Sequence, residues 1–159
     1  MIKKLFLIFA FIPVIGFAQN KEEMVGFWQD MSIAASGWSD SYLFYADGTY
    51  EFHFNQMICD KRLLSVKGKW EIDREGKLIL IAISHTILEG GTLVPSSGSC
   101  ASEYDIEGGE IKTTVLSKPE KYIITISEII TDDENNSLKT MVIGNKRYWR
   151  ISKEPKSYY

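Results

Sequence analysis

Tyr42-Leu43-Phe44-Tyr45-Ala46-Asp47-Gly48-Thr49-Tyr50-Glu51-Phe52-His53-Phe54 is the stretch that decides the fold class. After Asp47-Gly48 the residues alternate, with Tyr50, Phe52 and Phe54 on one side of an extended chain and Glu51, His53 and Asn55 on the other. The aromatic side is expected to point into the protein, because a slip of one residue would send the polar set inward instead. Asp47-Gly48 lies between this strand and the run Tyr42 to Tyr45, and reads as a type I′ hairpin turn with positive φ at both central residues.

The same punctuation recurs along the chain. Turn signals fall at Arg74-Glu75-Gly76, Glu107-Gly108-Gly109, Lys118-Pro119-Glu120, Asp132 to Ser137 and Gly144-Asn145. Strand-like runs lie between them: Val66 to Asp73, Leu78 to Thr86, Ile111 to Leu116, Tyr122 to Ile130, Lys139 to Ile143 and Arg147 to Ser152. With Gly26 to Ile33 and the first hairpin, these runs predict an all-β domain of eight to ten antiparallel strands, with no amphipathic helix. Short local connections favour an up-and-down barrel, whose closure removes exposed sheet edges. A β-sandwich is the alternative.

Residues 1–18 read as a secretory signal peptide: Lys3 and Lys4 are followed by the apolar run Leu5 to Phe17 and by small residues at Gly16 and Ala18. The run is too short for a membrane-spanning helix and is interrupted by Pro13. Residues 19–159 then form one domain of roughly 140 residues, enough to bury a substantial core. The formal net charge is −3, and loss of Lys3 and Lys4 makes the exported chain more acidic, so no basic stripe exists to follow a nucleic-acid backbone. The expected location is periplasmic or extracellular, with no stable membrane anchor.

Export takes the two cysteines, Cys59 and Cys100, to a compartment where disulfides persist, and they are expected to be bridged. Closing a loop of about 40 residues stabilises by roughly 4 kcal/mol on chain-entropy grounds. A bridge there pins one end of Glu89 to Ser102, read as the longest irregular stretch of the domain. No metal site is expected, since neither cysteine belongs to a Cys-x-x-Cys pair and His53 and His85 lie far from ligand spacing. The acidic run Asp132 to Asn136 lacks the spacing and central glycine of a calcium loop and reads as a solvated hairpin tip.

Gly26-Phe27-Trp28, Phe44 ahead of Asp47-Gly48-Thr49-Tyr50, and Gly68-Lys69-Trp70 followed by Gly76-Lys77-Leu78 resemble small secreted lipocalin-like (calycin) proteins of bacteria. The resemblance spans Met24 to Leu80, with a fainter counterpart in the closing strand Gly144 to Ile151. It implies that Trp28, after Gly26, plugs one end of a barrel and that Arg150 or Arg147 caps it. It also implies a ligand among inward residues, for which Tyr50, Phe52, Phe54, Ile124 and Ile126 are the candidates.

Trp38, in the polar segment Ser36 to Ser41, is a further candidate as an exposed anchor near the barrel mouth. Glu128 interrupts the alternation of Tyr122, Ile124 and Ile126 and reads as a rim residue. Nucleophile elbows, phosphate-cradling loops and His-Glu-x-x-His are all absent, so the chain is expected to be non-catalytic and to carry no cofactor. Two functions remain. One is a carrier holding a small apolar or amphipathic molecule; the other is an interaction module or inhibitor that presents loop 89–102 to an envelope or secreted protein.

Overall fold

The computed structural model of the chain describes residues 21–33, 37–98, 100–134 and 137–155, so the signal peptide expected at 1–18 lies outside the described residues. A one-turn helix α1 (Lys21–Met24) precedes β1 (Gly26–Gln29), β2 (Ser41–Phe44), β3 (Thr49–His53), β4 (Leu63–Ile72) and β5 (Leu78–Glu89). Then follow β6 (Thr92–Pro95), β7 (Tyr104–Glu107), β8 (Glu110–Ile124), β9 (Ile130–Thr131), β10 (Lys139–Ile143) and β11 (Lys146–Ser152). The fold is all-β and antiparallel, as the alternation predicts. Nine strands form one sheet in the order β8-β5-β4-β3-β2-β1-β11-β10-β9, and β6 and β7 form a separate hairpin.

The sheet has two ends, and no closed barrel is found. Its ends nevertheless lie only a few residues apart in the chain. Ile124, at the end of β8, pairs with Leu78 of β5, whereas Ile126 bridges Ile143 of β10. Gly144 N–H donates to the Thr125 carbonyl at 2.8 Å and Ser127 N–H to the Val142 carbonyl at 2.9 Å. The chain thus passes from β8 to the side of β10 between residues 124 and 126, and buried residues of β1 to β5, β10 and β11 form one core cluster.

That core is aromatic. Trp28, Phe44, Tyr50, Trp70, Leu78 and Tyr148 are all buried in it. Tyr42 links strands that are distant in sequence, with ring centroids 4.4 Å from Phe52 and 5.3 Å from Tyr148, and Phe44 meets the Trp70 ring edge at 5.2 Å. Such pairs add specificity beyond the area they bury. Burial pushes the Tyr42 phenol up to about 12, with the neighbouring Asp40 carboxylate adding to the shift.

Trp28 is fully buried and its indole N–H donates to the Met24 carbonyl at 2.8 Å. The Arg150 guanidinium lies 5.5 Å over its ring and donates to the Glu23 carbonyl at 2.7 Å. Arg147 stacks at 6.0 Å on Trp149 instead. Of the two arginines named from the sequence, Arg150 is therefore the one over Trp28.

Several sequence readings change, among them the runs Gly26 to Ile33 and Tyr122 to Ile130, whose strands end at Gln29 and Ile124. Asp47-Gly48 is a three-residue connection rather than a type I′ turn: Gly48 alone has positive φ, at 84°, Gly48 N–H donates to the Tyr45 carbonyl at 3.1 Å and Tyr45 N–H to the Thr49 carbonyl at 3.0 Å. This is a turn ending in a left-handed glycine, which needs positive φ at one residue only. Lys118-Pro119-Glu120 is not a turn but lies inside β8, where Leu116 to Pro119 bulge opposite Ile83 of β5. An edge strand tolerates proline because its outer N–H groups have no partner to serve. Asp132 is buried, not solvated, and accepts the Trp149 indole N–H at 2.8 Å. Finally, Glu89 to Ser102 contains β6, which with β7 raises the strands to eleven among the described residues.

Candidate functional site

β3, β4, β5 and β8 have a core end and an open end. At the core end, beside the turns at Gly48 and Gly76, Tyr50, Trp70 and Leu78 fill the concave face. At the other end a cleft of about 620 Å³ opens, lined by Phe54 and Leu64 and, on the face that carries His53 and Ser65, by Thr86, Leu88 and Ile111. Ile106 of the β6–β7 hairpin also lines it, and His53, Asn55, Gln56, Lys61 and Asp105 supply polar groups.

Local hydrogen bonds set the loop that forms one wall. Phe54 N–H continues the ladder beyond β3 by donating to the Leu64 carbonyl at 3.0 Å. Asn55 N–H donates to the Asp40 carboxylate at 2.9 Å, and the Asn55 side chain accepts from Met57 N–H at 2.8 Å, which turns the chain back toward β4. The Phe54 ring packs edge-on to Phe52 at 4.8 Å, and Lys61 Nζ sits 4.1 Å above it. An ammonium over an aromatic wall places positive charge beside an apolar surface.

Cys59 and Cys100 form a disulfide, with Cα atoms 5.7 Å apart. It joins this loop to the β6–β7 hairpin, consistent with an oxidising compartment. Among the described residues no helix is long and apolar enough to cross a membrane.

Of the residues expected to meet a ligand, Phe54 alone lines the cleft. Tyr50 belongs to the core, and Phe52, Ile124 and Ile126 pack against it. Trp38 is 61 % exposed and absent from the cleft lining, while the carbonyl of its neighbour Gly37 accepts from Gln56 N–H at 2.9 Å. Glu128 is exposed, away from the interior. Leu64, Leu88, Ile106 and Ile111 are the apolar lining that the sequence did not single out. Leu78 to Ile83 is apolar on both faces and a bulge at Ile83 then shifts the parity of β5, so the face taken by Leu88 was not readable from alternation.

Across β3, on its outer face, Glu51 accepts from His53 Nε2 at 3.1 Å and from Lys67 Nζ at 3.0 Å. The His53 hydrogen bond, with that of Lys67 and the two attractions behind them, lowers the Glu51 carboxyl from its usual 4.5 to about 2, against an opposing desolvation effect. A depressed folded value stabilises the protein above pH 4.5, and that stability is lost as the pH falls toward 2. Because these groups are partly exposed, the pairing is worth below about 1 kcal/mol. Melting temperatures of the parent and of Glu51→Gln, measured from pH 7 to pH 2, are expected to differ most above pH 4.5 and to converge toward pH 2. Parallel curves would show that the pairing contributes nothing.

Comparison of the chain with protein-family models, with curated proteins and with solved structures finds no match.

Proposed function

We propose that the curled sheet is a lipocalin-like barrel, closed through residues 124–127 at its core end and open at the other, and that the protein is an exported, non-catalytic binder of a small apolar or amphipathic molecule. The observation that carries this reading is the open-end cleft. Its volume of about 620 Å³ falls within the usual range for small-molecule sites, and Phe54, Leu64, Leu88, Ile106 and Ile111 give it an apolar lining. Lys61, with no ion pair among the described residues, suits the polar or anionic head of an amphipathic ligand at the rim. The interior below is filled by Tyr42, Phe44 and Trp70, so the ligand is held at the mouth rather than deep in the fold.

Titration with the apolar fluorophore N-phenyl-1-naphthylamine tests this. Saturable binding is expected, and Phe54→Ala is expected to weaken it about tenfold, corresponding to loss of roughly 1.5 kcal/mol of apolar contact. Glu71→Gln, exposed on β4 and outside the cleft lining, is expected to leave it unchanged. Equal binding by the two folded variants, or no saturable binding by the parent, contradicts the reading. In the latter case the second reading, an interaction module, takes its place: Leu93 and Tyr104 on the β6–β7 hairpin are 55 % and 48 % exposed and offer a protein partner an apolar surface.

A further inference from the structure

The β6–β7 hairpin is the far end of the β5–β8 ribbon. Glu89 pairs with Glu110, and after two glycines on each strand Thr92 pairs with Glu107, so the register is carried across the break unchanged. Gly90, Gly91, Gly108 and Gly109 have φ of 74°, 71°, 74° and 94°, a region that other L-residues rarely enter. The ribbon is folded sharply there. A Cβ on Gly91 would lie 2.6 Å from Ile106 Cγ2, and one on Gly109 would lie 2.9 Å from the Glu89 carbonyl oxygen.

Beyond the fold the tip turns back over the cleft. Ile106 and Asp105 enter the lining. Ala101 N–H donates to the Met57 carbonyl at 2.6 Å, Cys59 N–H donates to Ser102 Oγ at 3.0 Å, and the Cys59–Cys100 disulfide ties the tip to the loop after β3. The Arg62 guanidinium, donating to the Leu88 and Gly90 carbonyls, holds the fold on its stem side.

We propose that the β6–β7 hairpin is a lid over the cleft, hinged at Gly90-Gly91 and Gly108-Gly109 and latched by the Cys59–Cys100 disulfide. The latch is opened by an external dithiol. One of its thiols attacks the bridge and displaces a cysteine as thiolate, and the second displaces the other cysteine. The reductant leaves as its cyclic disulfide, and its two protons pass to Cys59 and Cys100. With the latch open, the hinge lets Ile106 leave the cleft. That the motion gates a ligand rests on the binding reading above; the motion itself does not.

Amide exchange followed by NMR tests the motion in the oxidised protein, in the protein reduced with dithiothreitol, and in the double variant Cys59→Ser, Cys100→Ser. In both opened forms the amides of residues 101 and 59, whose acceptors lie across the latch, are expected to exchange at least tenfold faster. Amides of β1, β10 and β11 are expected to stay within twofold of the oxidised protein. Unchanged exchange at residues 101 and 59 overturns the lid, and so does a uniform loss of protection that includes β10 and β11. Release of N-phenyl-1-naphthylamine, timed in the same three samples, separates the two ideas. Faster release from the opened forms supports gating. Equal release overturns gating and leaves the binding site intact, whereas absence of binding in all three contradicts the binding reading alone.

Discussion

Replacing Trp28 with alanine is expected to remove about 3–5 kcal/mol of stability. Its side chain is completely buried, its indole N–H holds α1 through the Met24 carbonyl, and its ring carries the Arg150 guanidinium. Alanine leaves a cavity, an unpaired carbonyl and a half-buried cation without its aromatic partner. A domain of this size has only about 5–15 kcal/mol in total, so the variant is expected to melt about 10 °C or more below the parent, or not to fold. Trp28→Phe retains most of the ring and loses the hydrogen bond, and is expected to lose about 1–2 kcal/mol. Thermal unfolding followed by circular dichroism checks both. Melting of Trp28→Ala within a few degrees of the parent would refute the structural role.

Gly68→Ala is expected to be nearly as damaging, for a different reason. Gly68 pairs with Tyr50 on β3 and with Ala82 on β5, beside the irregularity at Lys67. A Cβ there would lie 1.9 Å from the Ile81 carbonyl oxygen and 2.8 Å from the Ile81 carbonyl carbon. Both are backbone atoms, so no side-chain rotation relieves the clash and the β4–β5 ladder itself has to move. Forced overpacking of this kind removes about 3 kcal/mol. Gly98 is the control: nothing lies within 4 Å of its added Cβ, and Gly98→Ala is expected to stay within about 0.5 kcal/mol of the parent. Urea denaturation of the two variants side by side is the measurement, and equal midpoints would contradict the close approach at Gly68.

The fold class was legible because strand alternation and turn chemistry are local. Tyr50 lies in the core cluster with Phe52 packed against it, while Glu51 pairs with Lys67 away from it, as their spacing requires. The disulfide was expected from an even cysteine count together with the reading of residues 1–18 as a signal peptide. Readings that depend on non-local pairing were less secure. Pro119 looks like a turn until β8 is known to be an edge, and Glu107-Gly108-Gly109 looks like a hairpin turn until Gly90-Gly91 is found opposite it in the ladder. The site was only partly legible for the same reason. Ile106 and Ile111 are far from Phe54 in sequence: Ile111 reaches the cleft because β8 pairs with β5, and Ile106 because the ribbon folds back on itself beyond the glycines.

Mapping bound N-phenyl-1-naphthylamine by methyl and amide NMR shifts tests the central claim most directly. The account predicts shifts at Phe54, Leu64, Thr86, Leu88, Ile106 and Ile111, which line the open-end cleft, with Phe27 and Leu43, paired across β1 and β2 outside the core cluster, unaffected. Shifts confined to the exposed outer strand of β8, or none at saturating probe, would contradict it.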